Sequence, residues 1–237
     1  DAFAGSTSGQ RAEALRRLGH DVEVVDPYDA FRKSFSGIRG SIHFKTGYRF
    51  LQKDVQQWLE GVVRKLRQQP DIIWIDMGEL FGPGCMDILK KLSCPIVLYN
   101  IDDPTGKRDG QRFYCLLKSI SYYDLIAVVR KETLDECRKL GAKKVMHVFR
   151  SYDEAVHRPF ESLEEIPEKL RSEVAFIGTW MRHENRDKFI LELIQKGVPV
   201  SIWGARWPKS PLFDKLKTHW RGGALYGRDY VAAIQGS

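Results

Sequence analysis

Residues able to do chemistry lie just past short apolar runs of this 237-residue chain. Gly178, Thr179 and Arg182 follow Val174-Ala-Phe-Ile177. A tight Gly turn lets backbone amides approach an anion, a helix starting near Glu184 leaves N–H groups free, and an Arg adds a bidentate contact. That combination reads as a phosphate site. A strand-end glycine chosen for helix packing is the alternative, and Arg186 reads as a solvated helix residue. Gly204, Arg206 and Trp207 follow the run Val198-Pro-Val-Ser-Ile-Trp203. Gly204 permits close approach and Trp207 or Arg206 can stack on a flat ring, whereas Trp203 reads as core. Tyr226, before Gly227-Arg228, suits contact with a base or ribose equally well as entry into a helix.

Carboxylates end other apolar runs. Asp102 and Asp103 precede Pro104, and Asp76 closes Asp71-Ile-Ile-Trp-Ile-Asp76, with Glu79 nearby. At such an edge a carboxylate can act as general base toward a hydroxyl, although a turn or a helix cap uses the same residues. Near the start, Gly5-Ser6-Thr7-Ser8-Gly9 is a small-residue loop leading into a helix from Gln10 to Leu18. Gly5, Ser6 and Ser8 can face a ligand cleft, and Ser8 can also cap that helix. The loop is not a G-x-G-x-x-G fingerprint, which disfavours a dinucleotide-dependent oxidoreductase. His43, His147, His157 and His183 are scattered and pair with no nucleophile by spacing; Cys85, Cys94, Cys115 and Cys137 form no C-x-x-C pair. No metal site is read from them, and the cysteines read as reduced structural residues.

The elements that must position these groups alternate. Strands are expected at Gly19–Asp26, Asp71–Asp76, Pro95–Asn100, Asp124–Val129 and Lys143–Phe149. Near-continuous apolarity marks parallel strands covered on both faces. Helices are expected at Tyr48–Gln69, Gly84–Leu92, Asp109–Ile120 and Lys131–Leu140, with 27–47 irregular. This predicts a doubly wound α/β sheet over 1–150. A polar stretch, 151–172, containing Pro159 and Pro167, reads as a linker. From 173 a second α/β unit begins, with a helix at Glu184–Lys196, a Pro-broken helix near Leu212–Trp220 and a short run at Ala224–Tyr226. The loop at Gly5 has no strand before it and the second unit has few strands, so both lobes are expected to be incomplete, missing the first strand and the later C-terminal part.

Composition sets the class: 43% hydrophobic and 29% charged residues describe a globular protein with a real core. The +7 charge admits anionic partners, but basic residues in segments such as Val62-Val-Arg-Lys-Leu-Arg67 read as solvated helix faces, and no nucleic-acid partner is expected. With neither a signal peptide nor a transmembrane run read, the expected location is cytoplasmic.

Asn100-Ile-Asp-Asp-Pro104, Ser151-Tyr-Asp-Glu-Ala-Val-His-Arg-Pro-Phe160, Val174-Ala-Phe-Ile-Gly-Thr-Trp180 and Ile202-Trp-Gly-Ala-Arg-Trp207 together resemble the CgeB-like, spore-maturation type glycosyltransferases. The resemblance covers most of the chain. It implies the two-lobed B-type glycosyltransferase fold, with two Rossmann-like lobes, and transfer of a hexose-like sugar from a nucleotide-sugar donor. The donor is then held mainly by the second lobe and an acceptor glycan, protein or small molecule by the first. It also implies that no cofactor or metal is required. The family's Arg and acidic residue near a later Gly-rich turn would follow Ser237. A non-catalytic nucleotide- or glycan-binding module is the competing expectation.

Overall fold

In a computed structural model, which describes residues 6–106 and 108–237, the chain divides into two compact units. Residues 21–151 form unit 1; residues 152–237, with the helix before residue 21, form unit 2. Gly5 lies outside the described residues.

That first helix, α1, spans Thr7–Arg17. It starts three residues before the expected Gln10 because Ser6, not Ser8, is its N-cap, the hydroxyl accepting the Gly9 N–H at 3.1 Å. Ser8 sits in the first turn. Arg17 explains why α1 groups with unit 2: its guanidinium meets Asp153 at 3.0 Å and Glu154 at 2.9 Å.

Where a strand is expected at Gly19–Asp26, no strand is assigned among the described residues, and Val24 and Val25 are exposed. Short helices α2 (Pro27–Ala30) and α3 (Gly37–Lys45) fill the region read as irregular. A 3-10 turn at Arg49–Leu51 then runs into α4 (Gln52–Lys65). The sheet follows as β1 (Ile73–Asp76), α5 (Pro83–Lys90), β2 (Ile96–Asn100), α6 (Tyr114–Lys118), β3 (Leu125–Val128), α7 (Lys131–Lys139) and β4 (Val145–His147). All strands are parallel in the order β1-β2-β3-β4. The helix expected at Asp109–Ile120 shrinks to five residues plus a 3-10 turn. Ile75, Ile96, Leu98, Ile126 and Val128 pack one sheet face against Val55 and Leu59 of α4 and Met86 and Leu89 of α5. Each such side chain, fully buried, contributes about 1.5–3 kcal/mol of transfer free energy. On the other face Trp74 stacks on Tyr99 at 5.7 Å.

Unit 2 carries a second parallel sheet, β5 (Val174–Ile177), β6 (Val200–Trp203) and β7 (Trp220–Gly222), in that order, with α8 (Arg186–Gln195), α9 (Phe213–Leu216) and α10 (Gly227–Gln235). Period-two alternation divides β6: Val200 and Ile202 join Ile190, Trp180 and Trp207 on one face, while Trp203 joins Ala232 and Ala233 of α10 on the other. Ile166 and Leu170, from the stretch 151–172, also belong to that second cluster. The third strand is Trp220–Gly222 rather than Ala224–Tyr226, and the helix expected at Leu212–Trp220 is only the four residues of α9. The described residues therefore form an α/β protein with two Rossmann-like parallel sheets. Among the described residues no helix is long and apolar enough to cross a membrane.

Candidate functional site

In an open parallel sheet, ligands collect at the carboxyl ends of the strands. In unit 2 the chain leaves β5 through Gly178–Asn185 and β6 through Gly204–Arg206, and hydrogen bonds hold these exits together. Gly178 N–H donates to the Trp203 carbonyl at 2.9 Å, and Trp180 N–H to the Ala205 carbonyl at 2.9 Å. A Cβ on Gly204 would lie 1.9 Å from the Gly178 carbonyl oxygen, so only glycine fits this crossing. The Gly178 carbonyl is also spoken for, because the Trp207 indole N–H donates to it at 2.8 Å.

Three expectations change here. Trp207 is completely buried, edge-on to Phe176 at 5.7 Å, and cannot stack on a nucleobase; its ring is core and its N–H pins the loop. The helix starts at Arg186, two residues past Glu184, so Gly178 and Thr179 lie well before its first turn. The Arg186 guanidinium donates to the Thr179 carbonyl at 2.6 Å and pairs with Glu184, which makes it a loop brace rather than a solvated residue.

The same loop is fastened by Asp187. Its buried carboxylate accepts the Trp180 indole N–H at 2.9 Å and the Ser210 hydroxyl at 2.6 Å. Burial pushes this carboxyl up, but the hydrogen bonds from Ser210, Trp180 and the backbone together outweigh burial and hold it below its ordinary value. Arg182 and Arg206 remain exposed at the loop tips. Among the described residues neither meets a carboxylate within ion-pair distance; Arg206 reaches only the Met181 sulfur, at 3.8 Å. Arg206 adopts φ 67°. Tyr226 is the N-cap residue of α10 and 59% exposed.

In unit 1 the carboxylates are placed at the sheet's carboxyl edge, each already engaged. Asp76 accepts the Trp74 indole N–H at 3.0 Å. Asp102 meets Arg112 at 2.9 Å. Asp103 accepts the Gly106 N–H at 3.0 Å and lies 3.4 Å from Arg130. Glu79 is 3% exposed and takes Arg112, Tyr28 and Tyr48 around it, the last at 3.3 Å. The Arg112 Nε stands 2.5 Å from the Glu79 Oε2, yet neither atom completes an aligned hydrogen bond, so this is a charge contact off the N–H axis. Burial, then the Glu79 charge, pushes both tyrosine hydroxyls well above their ordinary range. Burial pulls the Arg112 guanidinium down, but Glu79 more than offsets it.

Two residues without a role in the sequence reading organise this edge. Asn100, fully buried, donates to the Met77 carbonyl at 2.8 Å and accepts the Asp102 N–H at 2.9 Å. It thereby ties the end of β1 to the end of β2. The Met77 turn is closed by Gly78 N–H on the Asp76 carbonyl at 2.7 Å with Met77 at φ 65°, a γ-turn of the strained hand. Such a conformation costs about 1–3 kcal/mol and persists because its surroundings hold it. Arg112 is the other: it joins Asp102 to Glu79, and neither separation in sequence signals the pairing.

Among the described residues no group of three His, Cys, Asp or Glu side chains is arranged to hold a metal ion. Ser6 is committed to capping α1 and groups with unit 2, as does Ser8. His157 closes a turn on Asp153 within unit 2. No protein-family model and no curated protein matches the chain.

Proposed function

We propose that the chain is a glycosyltransferase that moves a sugar from a nucleotide-sugar donor to an acceptor hydroxyl. The observation that carries this reading is the pair of exposed arginines, Arg182 and Arg206, on two hydrogen-bonded loops at the carboxyl edge of one parallel sheet, beside backbone kept bare at Gly178 and Gly204. Thr179 and Tyr226 complete the donor set. Two guanidinium groups neutralise charge as the nucleoside diphosphate departs, which stabilises the transition state. In unit 1, Asp102 is the candidate base for an acceptor hydroxyl, with Asp103 and Asp76 as the neighbouring carboxylates. Arg112 orients Asp102.

The engagement of all three carboxylates supports a second reading, a nucleotide- or glycan-binding module without turnover. Titration of UDP, GDP and ADP by calorimetry tests the shared part. A charge-assisted hydrogen bond contributes about 1.5–3 kcal/mol, so Arg182→Ala with Arg206→Ala is expected to weaken binding by at least roughly a hundredfold. Unchanged affinity would exclude this phosphate site. Release of nucleoside diphosphate from a nucleotide sugar, lost in Asp102→Asn with binding retained, separates transfer from binding alone.

A further inference from the structure

The positive charge of this chain is concentrated. Between Phe31 and Lys53 stand six basic residues, Arg32, Lys33, Arg39, Lys45, Arg49 and Lys53, and no acidic one, so this stretch carries +6 of the net +7. Among the described residues only Arg32 of the six reaches a carboxylate, Asp29. Apolar side chains are exposed in the same stretch: Ile38 at 81%, Ile42 at 48% and Phe50 at 70%.

Helical geometry sorts these residues. Ile38 and Ile42, four apart in α3, lie one above the other, with Lys45 in line and Arg39 beside them. The other side of α3 contacts the rest of unit 1, although Phe44 there is itself 40% exposed. A Cβ on Gly40 would lie 2.3 Å from the Phe35 carbonyl oxygen, and the Arg112 guanidinium lies 5.4 Å from the centre of the Phe44 ring. The isoleucine stripe is therefore not the core face of the helix; it is a second apolar face, flanked by cations. Phe50 sits on the 3-10 turn that packs against α3.

An apolar stripe flanked by unpaired cations matches one kind of surface, a bilayer containing anionic lipid. Such a surface takes apolar side chains to the acyl boundary and holds Lys and Arg at the headgroups. Nucleic acid would satisfy the cations but leave the isoleucines without a partner. We propose that α3 and the Arg49–Leu51 turn dock unit 1 on an anionic membrane surface, Ile38, Ile42 and Phe50 entering it and Arg39, Lys45 and Lys53 facing the headgroups. This docking is independent of any glycosyl transfer.

Co-sedimentation of the whole chain with phosphatidylcholine vesicles, with and without phosphatidylglycerol, tests it. Binding is expected only with the anionic lipid and is expected to fall as salt rises. Ile38→Ser with Ile42→Ser is expected to lower the partition coefficient on the order of tenfold per isoleucine. Arg39→Gln with Lys45→Gln is expected to lower it by roughly fivefold per cation. All four side chains are exposed, so circular dichroism and melting temperature are expected to stay as in the parent. Absence of binding to phosphatidylglycerol vesicles overturns the proposal, as does binding that the isoleucine pair leaves unchanged. Binding to RNA with equal affinity before and after the isoleucine changes, and none to vesicles, assigns the cations to a polyanion and also overturns it.

Discussion

Asp187 is predicted to be the fastening on which the Gly178–Asn185 loop depends. Its carboxylate is 6% exposed, and the two side chains that donate to it, Trp180 and Ser210, are 5% and 6% exposed. Asp187→Ala removes the acceptor for both, at 2.9 and 2.6 Å, and leaves two buried donors unpaired. Each orphaned donor costs about 1–3 kcal/mol, so the pair amounts to about 2–6 kcal/mol. Asp187→Asn keeps the volume and one oxygen but loses the charge, and its cost is expected to be about 1–3 kcal/mol.

The pH dependence follows from the direction of the shift. The folded carboxyl lies below its ordinary value of 3.8, so its stabilisation is fully present above that value and is lost as pH falls through the lower folded one. The gap between parent and Asp187→Asn is therefore flat from neutral pH down to about pH 5 and narrows below about pH 4. Urea unfolding followed by tryptophan fluorescence measures this, because Trp180, Trp203, Trp207 and Trp220 all report on unit 2 and only Trp58 and Trp74 lie elsewhere. The two transitions are fitted separately, since two units need not unfold as one. A loss below about 0.5 kcal/mol in Asp187→Ala, or a gap that widens in acid, would refute the assignment.

Gly204→Ala is expected to cost about 3 kcal/mol or more, because the new methyl meets the Gly178 carbonyl oxygen at 1.9 Å and that oxygen is held by Trp207. Gly223→Ala, with nothing within 4 Å, is the control and is expected to stay within about 0.5 kcal/mol; equal melting temperatures for the two variants would remove the steric argument. Burial pushes the Cys85 thiol up to about 12 and the Cys115 and Cys137 thiols up to about 11. A disulfide reagent at neutral pH is accordingly expected to modify half-buried Cys94 first and the other three only on unfolding, which timed mass spectrometry reads; equal rates in the native protein would contradict it.

The sequence by itself determined the repeating strands of two parallel sheets. Ile73–Asp76, Ile96–Asn100, Leu125–Val128, Val174–Ile177 and Val200–Trp203 all fall inside apolar runs that end at turn residues, and burial of such runs is a local demand. It also placed Gly178 and Gly204 directly after their runs, and Asp102 and Asp103 within three residues of Asn100. Tertiary structure decided what depends on a partner distant in sequence. Trp220–Gly222, with an arginine at its centre, becomes a strand because Ile202 and Trp203 lie alongside it. Trp207 is core rather than a stacking platform because the Gly178 carbonyl lies within reach of its N–H. Arg112 meets Glu79 and Asp102 across a fold that local spacing does not encode, and α1 joins the later unit through Arg17 and Asp153. Local pattern sets which segments must bury apolar surface; the identity of each partner is settled only when distant segments compete for the same surface and the same hydrogen bonds.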